Sequence, residues 1–255
     1  MNTGPKDGAA KGAESKAMLF GRKKKEARPR VCAVIPAAGS SNRMGGGNKL
    51  LLELDGVPVL ARTLLAFENC GRIDDVIIVA RESDMIEYQD LCRAYELGKV
   101  RAIVRGGETR EHSVLEGVRA CPEGTAIVAI HDAARPLVSE EVICEAVEAA
   151  IQFGGAAPVV PMKDSVKRIV EGKIVADVPR DAIAAVQTPQ CFDRKKIESA
   201  LVKALRRCLP LTDDCAAYEA AGYPVQATRG DYRNLKVTTP EDILTAEGFL
   251  RGTEY

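Results

Sequence analysis

The sequence predicts an α/β protein built on a doubly wound, mostly parallel, Rossmann-like sheet with an inserted β-hairpin. Short apolar runs alternate with helical patterns from residue 31 onward, which is typical of a parallel sheet with helices on both faces. A glycine-rich loop follows the first apolar run, and one strand–turn–strand segment interrupts the alternation. The length of 255 residues suits one large α/β domain.

Five short apolar runs predict buried strands. Each is five or six residues long and rich in valine, isoleucine and alanine, the pattern of a strand covered on both faces. The runs cover residues 31–36, 76–80, 100–104, 126–130 and 156–160.

Helical patterns lie between and after these runs. The clearest follows Ser139, where apolar residues recur at helical spacing over 142–151 and two glutamates favour the positive end of the helix dipole. Another begins at Thr239, with Pro240 in its first turn. Further helices are predicted over residues 59–67, 83–97, with Ser83 as the N-cap, and 109–120.

Residues 163–180 break the alternation, because they have the pattern of two strands joined by a turn at Glu171-Gly172. A hairpin inserted into a doubly wound sheet needs another surface to cover it. We therefore predict that residues of about 163–182 form a dimerisation arm that packs on a partner subunit of a homodimer.

Charge separates the chain into a tail and a domain. Residues 1–30 carry nine Lys/Arg against three Asp/Glu and have no sustained apolar period, which predicts a disordered basic tail before a domain over residues 31–255. The whole chain has 36 basic and 36 acidic residues, a balance that argues against nucleic-acid binding.

The lengths of the apolar runs and the spacing of the cysteines indicate in which cellular compartment the protein is found. No apolar run approaches the ~18 residues of a membrane span. The eight cysteines include no CxxC pair and only two histidines exist, so no zinc-binding motif is apparent. We expect a reduced, cytoplasmic protein without membrane contact.

The loop after the first predicted strand has the composition of a phosphate-binding loop. Its Ala37-Ala38-Gly39 segment lets backbone N–H groups approach a ligand closely, and the glycines at 45–47 let the chain wrap an anion. Arg43 and Lys49 add two fixed positive charges. The GxGxxG and GxxxxGK[ST] loops of other nucleotide-binding proteins are absent.

This loop resembles the signature loop of nucleotidyltransferases that act on sugar and polyol phosphates. Four further motifs, in this order, make the chain similar to the 2-C-methyl-D-erythritol 4-phosphate cytidylyltransferase family over residues 31–251. They are GGETR at 106–110 with Ser113, HDAARP at 131–136, QTPQ at 187–190 and NLKVT at 234–238.

The resemblance implies that CMP is transferred from CTP to 2-C-methyl-D-erythritol 4-phosphate, with release of pyrophosphate, in isoprenoid precursor biosynthesis. The acceptor phosphate is already an anion, so no catalytic base is required, and catalysis depends on positioning and electrostatics. Mg²⁺ or another divalent cation is expected as the cofactor, held mainly by the CTP phosphates and placed near Asp132.

The family's functional positions can be carried over residue by residue. His112 and His131 are not expected to transfer protons, and the loop between Arg43 and Lys49 is one residue shorter than is common in the family. Arg180, on the arm, is implied to complete the partner's site. The implied catalytic residues are Arg43, Lys49, Asp132 and Arg135. The implied CTP-binding residues are Ala37, Ala38, Gly39, Gly107, Glu108, Arg110, Ser113 and Asp132. The implied acceptor-binding residues are Asp132, Arg135, Ser165, Arg180, Thr188, Thr212 and Lys236.

Three other functions are open to this sequence. A cytidylyltransferase for another polyol phosphate, such as ribitol 5-phosphate, would share the fold, CTP and the catalytic cations. A glycosyltransferase on a similar fold usually carries an Asp-x-Asp metal motif, and this chain has none. A non-catalytic nucleotide-binding regulator would be expected to lack Arg43, Lys49 or Asp132, and all three are present.

Overall fold

A computed structural model describes residue 1, residues 28–39 and residues 48–252. Most of the predicted tail, the loop residues 40–47 with Arg43, and the last three residues lie outside the described residues.

The centre of the fold is an eight-stranded sheet with helices on both faces, which confirms the predicted α/β class. Its strands run in the order β10-β7-β11-β6-β1-β4-β5, and β12 also pairs with β7. Their bounds are β1 Arg30–Pro36, β4 Asp75–Ala80, β5 Val100–Arg105, β6 Thr125–Ile130, β7 Gly155–Pro161, β10 Ala184–Val186, β11 Gln190–Asp193 and β12 Gln226–Arg229; β2 Glu53–Leu54 and β3 Val57–Pro58 form a separate small ribbon.

The sheet is mostly parallel, as predicted, but two of its strands, β10 and β11, run antiparallel to their neighbours. The pairings β1–β4, β1–β6, β4–β5 and β7–β12 are parallel. Strand β11 lies between β6 and β7 and is antiparallel to both. The sequence pattern did not reveal β11, because QCFD is too short to show a periodicity.

Helices cover the two faces in alternation. Alternate residues of each central strand divide between the faces, so Val31 and Ala33 join one apolar cluster and Cys32 and Val34 the other. Helices α1, α2, α4 and α7 contribute to the first cluster and α3, α5 and α6 to the second. The helices are α1 Val59–Asn69, α2 Met85–Ala94, α3 Arg110–Ala120, α4 Glu140–Phe153, α5 Arg194–Arg206, α6 Asp214–Ala220 and α7 Pro240–Leu250.

Helix α4 forms where its capping signals predict. Ser139 Oγ accepts a hydrogen bond from Val142 N at 3.4 Å. The helix ends at Gly154, whose φ of +89° is a left-handed conformation that glycine adopts without strain.

The predicted helix over residues 83–97 is wrong at both ends. A single 3₁₀ turn at Glu82–Asp84 precedes α2, and Ser83 Oγ donates to the Asp84 carboxylate at 3.0 Å instead of capping a helix. At the other end α2 stops at Ala94, and Glu96 has a φ of +51° that no α-helix accommodates.

The inserted hairpin forms as predicted and stands apart from the sheet. Strands β8 (Val166–Val170) and β9 (Lys173–Val178) pair with each other and with no other strand in the part of the chain that the structure describes. A register shift between Arg168 and Ile169 interrupts the expected side-chain alternation. Ile169 is 63% exposed and Ile174 69% exposed, so the arm leaves apolar surface uncovered in the single chain.

Among the described residues, no helix is both long enough and apolar enough to cross a membrane.

Candidate active site

Two adjoining cavities lie where the central strands end. Ala37 follows β1, Gly106 follows β5 and His131 follows β6, and the carboxyl ends of parallel strands are where open α/β sheets bind ligands. The larger cavity has a volume of about 490 Å³ and the smaller about 210 Å³. Arg110, Asp132 and Lys236 line both cavities.

The larger cavity collects the residues predicted to bind the nucleotide. The segment Ala37-Ala38-Gly39 lies on one side and the GGETR loop on the other. The GGETR loop contributes Gly107, Glu108, Thr109 and Arg110 to the lining. The other lining residues are Pro36, Lys49, Leu50, Ser113, Asp132, Ala133, Ala134 and Lys236.

Glycines let the two loops of this cavity approach each other. A Cβ atom at Gly106 would lie 2.7 Å from Ala38 Cβ, and one at Gly107 would lie 2.4 Å from His112 Cβ. The buried Ser113 hydroxyl donates to Thr109 O at 2.9 Å and accepts from Gly107 N at 3.2 Å. The loop is therefore held close to α3 with its backbone exposed to the cavity.

Lys49 reaches the larger cavity from a single 3₁₀ turn after the glycine-rich loop. Its Nζ donates to Val237 O at 3.1 Å, so the NLKVT motif determines where this cation lies. Asn48 anchors the turn, because its side chain accepts from Leu50 N at 3.2 Å and donates to the Tyr88 hydroxyl at 2.9 Å. Sequence patterns gave no sign of this Asn48–Tyr88 contact.

Asp132 and two cations lie at the junction of the cavities. Asp132 Oδ2 is 3.2 Å from Arg135 Nε and 3.1 Å from Lys236 Nζ. Burial raises the pKa of Asp132, but Lys236, Arg135 and Arg110 outweigh burial and lower that pKa to about 2. Asp132 is therefore ionised at neutral pH, and the junction carries a net positive charge.

The buried His131 holds the neighbouring chain segments. Its Nδ1 is 3.0 Å from Thr188 Oγ1, its Nε2 is 3.2 Å from Arg135 O, and Asp132 N donates to Thr188 Oγ1 at 3.1 Å. Burial lowers the pKa of His131 to about 4, so the imidazole is neutral at pH 7. The contacts of His131 therefore hold Thr188 and the backbone of Arg135 in place.

The QTPQ and NLKVT motifs brace these groups through buried amides. Asn234 Nδ2 donates to Thr188 O at 2.8 Å, and Asn234 O accepts from Arg135 Nη1 at 2.7 Å. Gln187 Nε2 donates to Asp231 O at 2.8 Å. Since buried amides lose solvation, these hydrogen bonds are strongly favoured, and they fix the geometry of Arg135 and Thr188.

The smaller cavity contains several predicted acceptor-binding side chains. Thr188 lies on one wall and the exposed Thr212 on the other. The N-cap of α6 is Asp213, the residue after Thr212, because the Asp213 side chain accepts the capping bond from Ala216 N at 2.9 Å. The full lining is Arg110, Asp132, Arg135, Val186, Thr188, Gln190, Thr212, Asp213 and Lys236.

Gln190 and Asp214 are site residues that sequence analysis missed. Gln190 Oε1 accepts from Asp214 N at 3.0 Å and its Nε2 donates to Asp213 at 2.9 Å, so it secures the start of α6. Asp214 in turn binds the Arg110 guanidinium. In the sequence, Asp214 is visible only as the second of two acidic residues after Thr212. Nothing in the sequence indicates that its side chain is buried against Arg110.

Two predicted site residues lie outside the cavities of their own chain. Ser165 and Arg180 are exposed at the base of the arm and line neither cavity. Arg180 Nη1 donates to Lys163 O at 2.9 Å. Arg43 lies outside the described residues.

The sheet, the small-residue loop and the cationic junction at the strand ends define a nucleotidyltransferase. The sequence profile described as 2-C-methyl-D-erythritol 4-phosphate cytidylyltransferase matches residues 31–252. The chain belongs to this family, and it is a CTP-dependent cytidylyltransferase of the methylerythritol phosphate route to isoprenoid precursors.

Individual relatives agree over nearly their whole length. The 2-C-methyl-D-erythritol 4-phosphate cytidylyltransferase of Halalkalibacterium halodurans is 42% identical over 87% of this chain and 97% of that protein. The 2-C-methyl-D-erythritol 4-phosphate cytidylyltransferase of Dehalococcoides mccartyi is 44% identical over 87% of this chain and 96% of that protein. The crystal structure of 4-diphosphocytidyl-2C-methyl-D-erythritol synthase from Anaerococcus prevotii aligns with a TM-score of 0.79, at 33% identity over 88% of this chain and 96% of that chain.

Proposed function

We propose that CTP binds in the larger cavity and 2-C-methyl-D-erythritol 4-phosphate in the smaller one. The observation that carries this assignment is that Arg110, Asp132 and Lys236 line both cavities. A phosphate group at this junction would lie within reach of both substrates, which is what a transfer between two bound anions needs. The cytosine would lie against the GGETR loop, where backbone groups and small residues leave room for a pyrimidine.

In the proposed mechanism, the acceptor phosphate attacks the α-phosphorus of CTP and pyrophosphate leaves. The nucleophile is an anion, so the protein supplies no base, and the neutral, buried His131 supports this view. Lys49, together with Arg43, would stabilise charge on the transferring group and on the departing pyrophosphate. Arg135 and Lys236 would hold the acceptor phosphate, while Asp132 keeps both cations in place.

We propose Mg²⁺ as the cofactor, held mainly by the CTP phosphates. The donor set suits this arrangement, because Asp132 is ionised and faces both cavities, and one carboxylate plus substrate phosphates is a common way to bind Mg²⁺. Along the described chain, no cluster of acidic ligands near the cavities would bind the ion without the nucleotide. When bound, Mg²⁺ would neutralise charge on the phosphates.

We propose that the enzyme is a homodimer in which each arm completes the other subunit's site. The uncovered apolar residues of the arm support this proposal, since an isolated hairpin is marginally stable in water. Ser165 and Arg180 lie on this arm and away from the cavities of their own chain. Both side chains would then contact the acceptor in the partner's site, with two-fold symmetry giving two equal sites.

We further propose a cytoplasmic enzyme whose catalytic domain starts at residue 31. All eight cysteines are free thiols in the structure, which suits a reducing compartment. Cell fractionation with an antibody to the chain tests the location, and recovery with a membrane or secreted fraction would contradict it.

A pyrophosphate-release assay tests the proposed acceptor. CTP is offered with 2-C-methyl-D-erythritol 4-phosphate, with ribitol 5-phosphate, or without an acceptor, each with and without Mg²⁺. We expect release only with the methylerythritol phosphate and Mg²⁺, and much less with ATP or GTP in place of CTP. Faster release with ribitol 5-phosphate would favour the alternative polyol enzyme.

A further inference from the structure

Two thiols and one carboxylate meet outside the active site. Cys70 follows the end of α1, while Glu140 and Cys144 lie on the first turns of α4. The two Sγ atoms and a Glu140 carboxylate oxygen all lie within 4.8 Å of one another. Across residues 28–39 and 48–252, this is the one group of three such side chains with that spacing. We propose that this cluster, Cys70–Glu140–Cys144, binds a zinc ion.

The separation of the sulfur atoms fits a metal ion between them. Cys70 Sγ and Cys144 Sγ are 3.8 Å apart. Two thiolates bound to one tetrahedral Zn²⁺ at ~2.3 Å are themselves about 3.8 Å apart. A disulfide requires about 2.05 Å, so the thiols would have to move much closer together to form one.

Glu140 is placed to act as the third ligand. One of its carboxylate oxygens accepts a hydrogen bond from Gly71 N at 3.2 Å, which orients the group toward Cys70. Cys70 is fully buried, Cys144 half-buried and Glu140 exposed. An ion could therefore enter from solvent, with water completing the coordination.

The ligand chemistry favours zinc over magnesium or calcium. Thiolates select soft or borderline ions, whereas Mg²⁺ and Ca²⁺ take oxygen ligands. On binding, each thiol would lose its proton to solvent, and the ion would form two Zn–S bonds and one Zn–O bond. The nearby Arg72 is paired with Glu148, at 2.7 Å between Nε and Oε1, so its charge is compensated.

The bound ion would connect two distant parts of the chain. Cys70 and Cys144 are 74 positions apart. Cys70 directly follows α1 and Cys144 lies in α4, and these two helices contribute to the same apolar cluster on one face of the sheet. Cys70 O also accepts from Lys99 Nζ at 2.8 Å, which fixes the backbone at this ligand. The inference does not depend on the catalytic assignment, because none of the three ligands lines either catalytic cavity.

Metal content of the full-length protein tests the proposal. The protein is stripped with a chelator under reducing conditions, dialysed against Zn²⁺ and assayed for bound zinc. We expect one zinc per chain, release of protons on binding and a higher Tm. With Co²⁺ in place of zinc, thiolate-to-metal charge-transfer absorption should appear. Glu140→Gln should weaken binding at least ~tenfold and Cys144→Ser should abolish it.

Cys92→Ser is the matched control, because Cys92 is also half-buried but lies outside the cluster. It should bind zinc as the unaltered chain does. Cys144→Ser changes a half-buried position, so it keeps the test valid if Cys70→Ser fails to fold. Equal zinc content in the unaltered chain and in Cys144→Ser would overturn the proposal. The proposal would also be overturned if the chain bound no zinc and Cys70 and Cys144 formed a disulfide on mild oxidation.

Discussion

The Arg110 guanidinium makes two parallel hydrogen bonds to the buried carboxylate of Asp214, at 2.9 Å from Nη1 to Oδ1 and 2.7 Å from Nη2 to Oδ2. Burial lowers the pKa of Arg110, but the Asp214 carboxylate outweighs this effect and raises it. The pair joins the start of α3, beside the larger cavity, to the start of α6, beside the smaller cavity. Asp214 is therefore a positioning residue for Arg110.

Asp214→Asn should impair substrate binding more than it impairs the chemical step. The amide cannot accept both guanidinium hydrogen bonds, so Arg110 should lose its fixed orientation. We expect KM for CTP to rise by roughly 10- to 100-fold, because one charge-assisted bond is worth about 1.5–3 kcal/mol, and we expect a smaller change in kcat. Glu116→Gln, an exposed substitution on the same helix, is the control. Unchanged KM values for both substrates would show that the pair is only structural.

Lys49→Ala and Arg43→Ala should each lower kcat strongly. Loss of one cation that stabilises transition-state charge typically costs ~3–4 kcal/mol, or roughly 10²–10³ in rate. Steady-state kinetics with both substrates measure this effect. Lys99→Ala provides the control, because Lys99 Nζ binds Phe67 O and Cys70 O far from the cavities. A near-normal kcat in Lys49→Ala would show that the short loop places another cation at the phosphates.

The sequence predicted five of the strands of the central sheet and many of the residues that line the two cavities, because both depend on local patterns. Apolar runs identified β1, β4, β5, β6 and β7 to within about one residue at each end. Small residues directly after β1 predicted a ligand-binding segment there, and Ala37, Ala38 and Gly39 line the larger cavity. In both cases, the chemistry of residues that are neighbours in the chain was sufficient for the prediction.

Long-range contacts account for what the sequence did not predict. Strand β11 lies between β6 and β7 and pairs with both, although its four residues are too few to show a strand pattern in the sequence. Asp214 is a site residue only because α6 brings it to Arg110, more than 100 positions earlier in the chain. The thiols of Cys70 and Cys144 meet across helices, so their spacing in sequence matches no metal motif.

Stability should fall as pH decreases from 6.5 toward 4, because His131 is buried in its neutral form. Its pKa is lowered by burial from 6.5 to about 4, so the unfolded chain binds more protons in this window. The contribution of neutral His131 to the free energy of unfolding is fully present well above pH 6.5. About 3 kcal/mol of this contribution should be lost by pH 4. Urea unfolding at pH 7.0 and 5.0 measures this loss.

His131→Asn tests the assignment of that pH dependence. The variant lacks the titrating group, so its stability should change less between pH 7.0 and 5.0, even if it is lower throughout. His112→Asn is the control, because His112 is the other histidine of the chain and is exposed. An equal pH dependence in His131→Asn and the unaltered chain would contradict the prediction.

Deletion of residues 2–27 should leave activity and Tm nearly unchanged. The deletion retains Arg28, whose guanidinium lies 2.6 Å from the Asp74 carboxylate, and it retains β1. The removed segment has no sustained apolar period that would predict packing on the domain. Steady-state kinetics and thermal unfolding measure the effect. A large loss of either would show that the segment contributes to the site or to the fold.

Mixed dimers of two inactive variants should recover activity if Arg180 acts in the partner's site. Arg180→Ala should raise KM for the acceptor far more than KM for CTP, and Lys49→Ala should remove a cation from its own cavity. In a heterodimer of these variants, one site carries both defects and the other carries neither. Subunit exchange should therefore restore up to about half the activity of an unaltered dimer per heterodimer.

A second mixture distinguishes this recovery from general stabilisation by mixing. Lys49→Ala and Lys236→Ala both alter the cavity of their own chain, so each site of their heterodimer keeps one defect. That mixture should stay inactive, since no site has both lysines. The arm of residues 163–182 explains the difference, because it is the element that carries Arg180 away from its own cavities. If Arg180→Ala and Lys49→Ala form heterodimers without recovery, Arg180 serves its own subunit and the arm does not complete the partner's site.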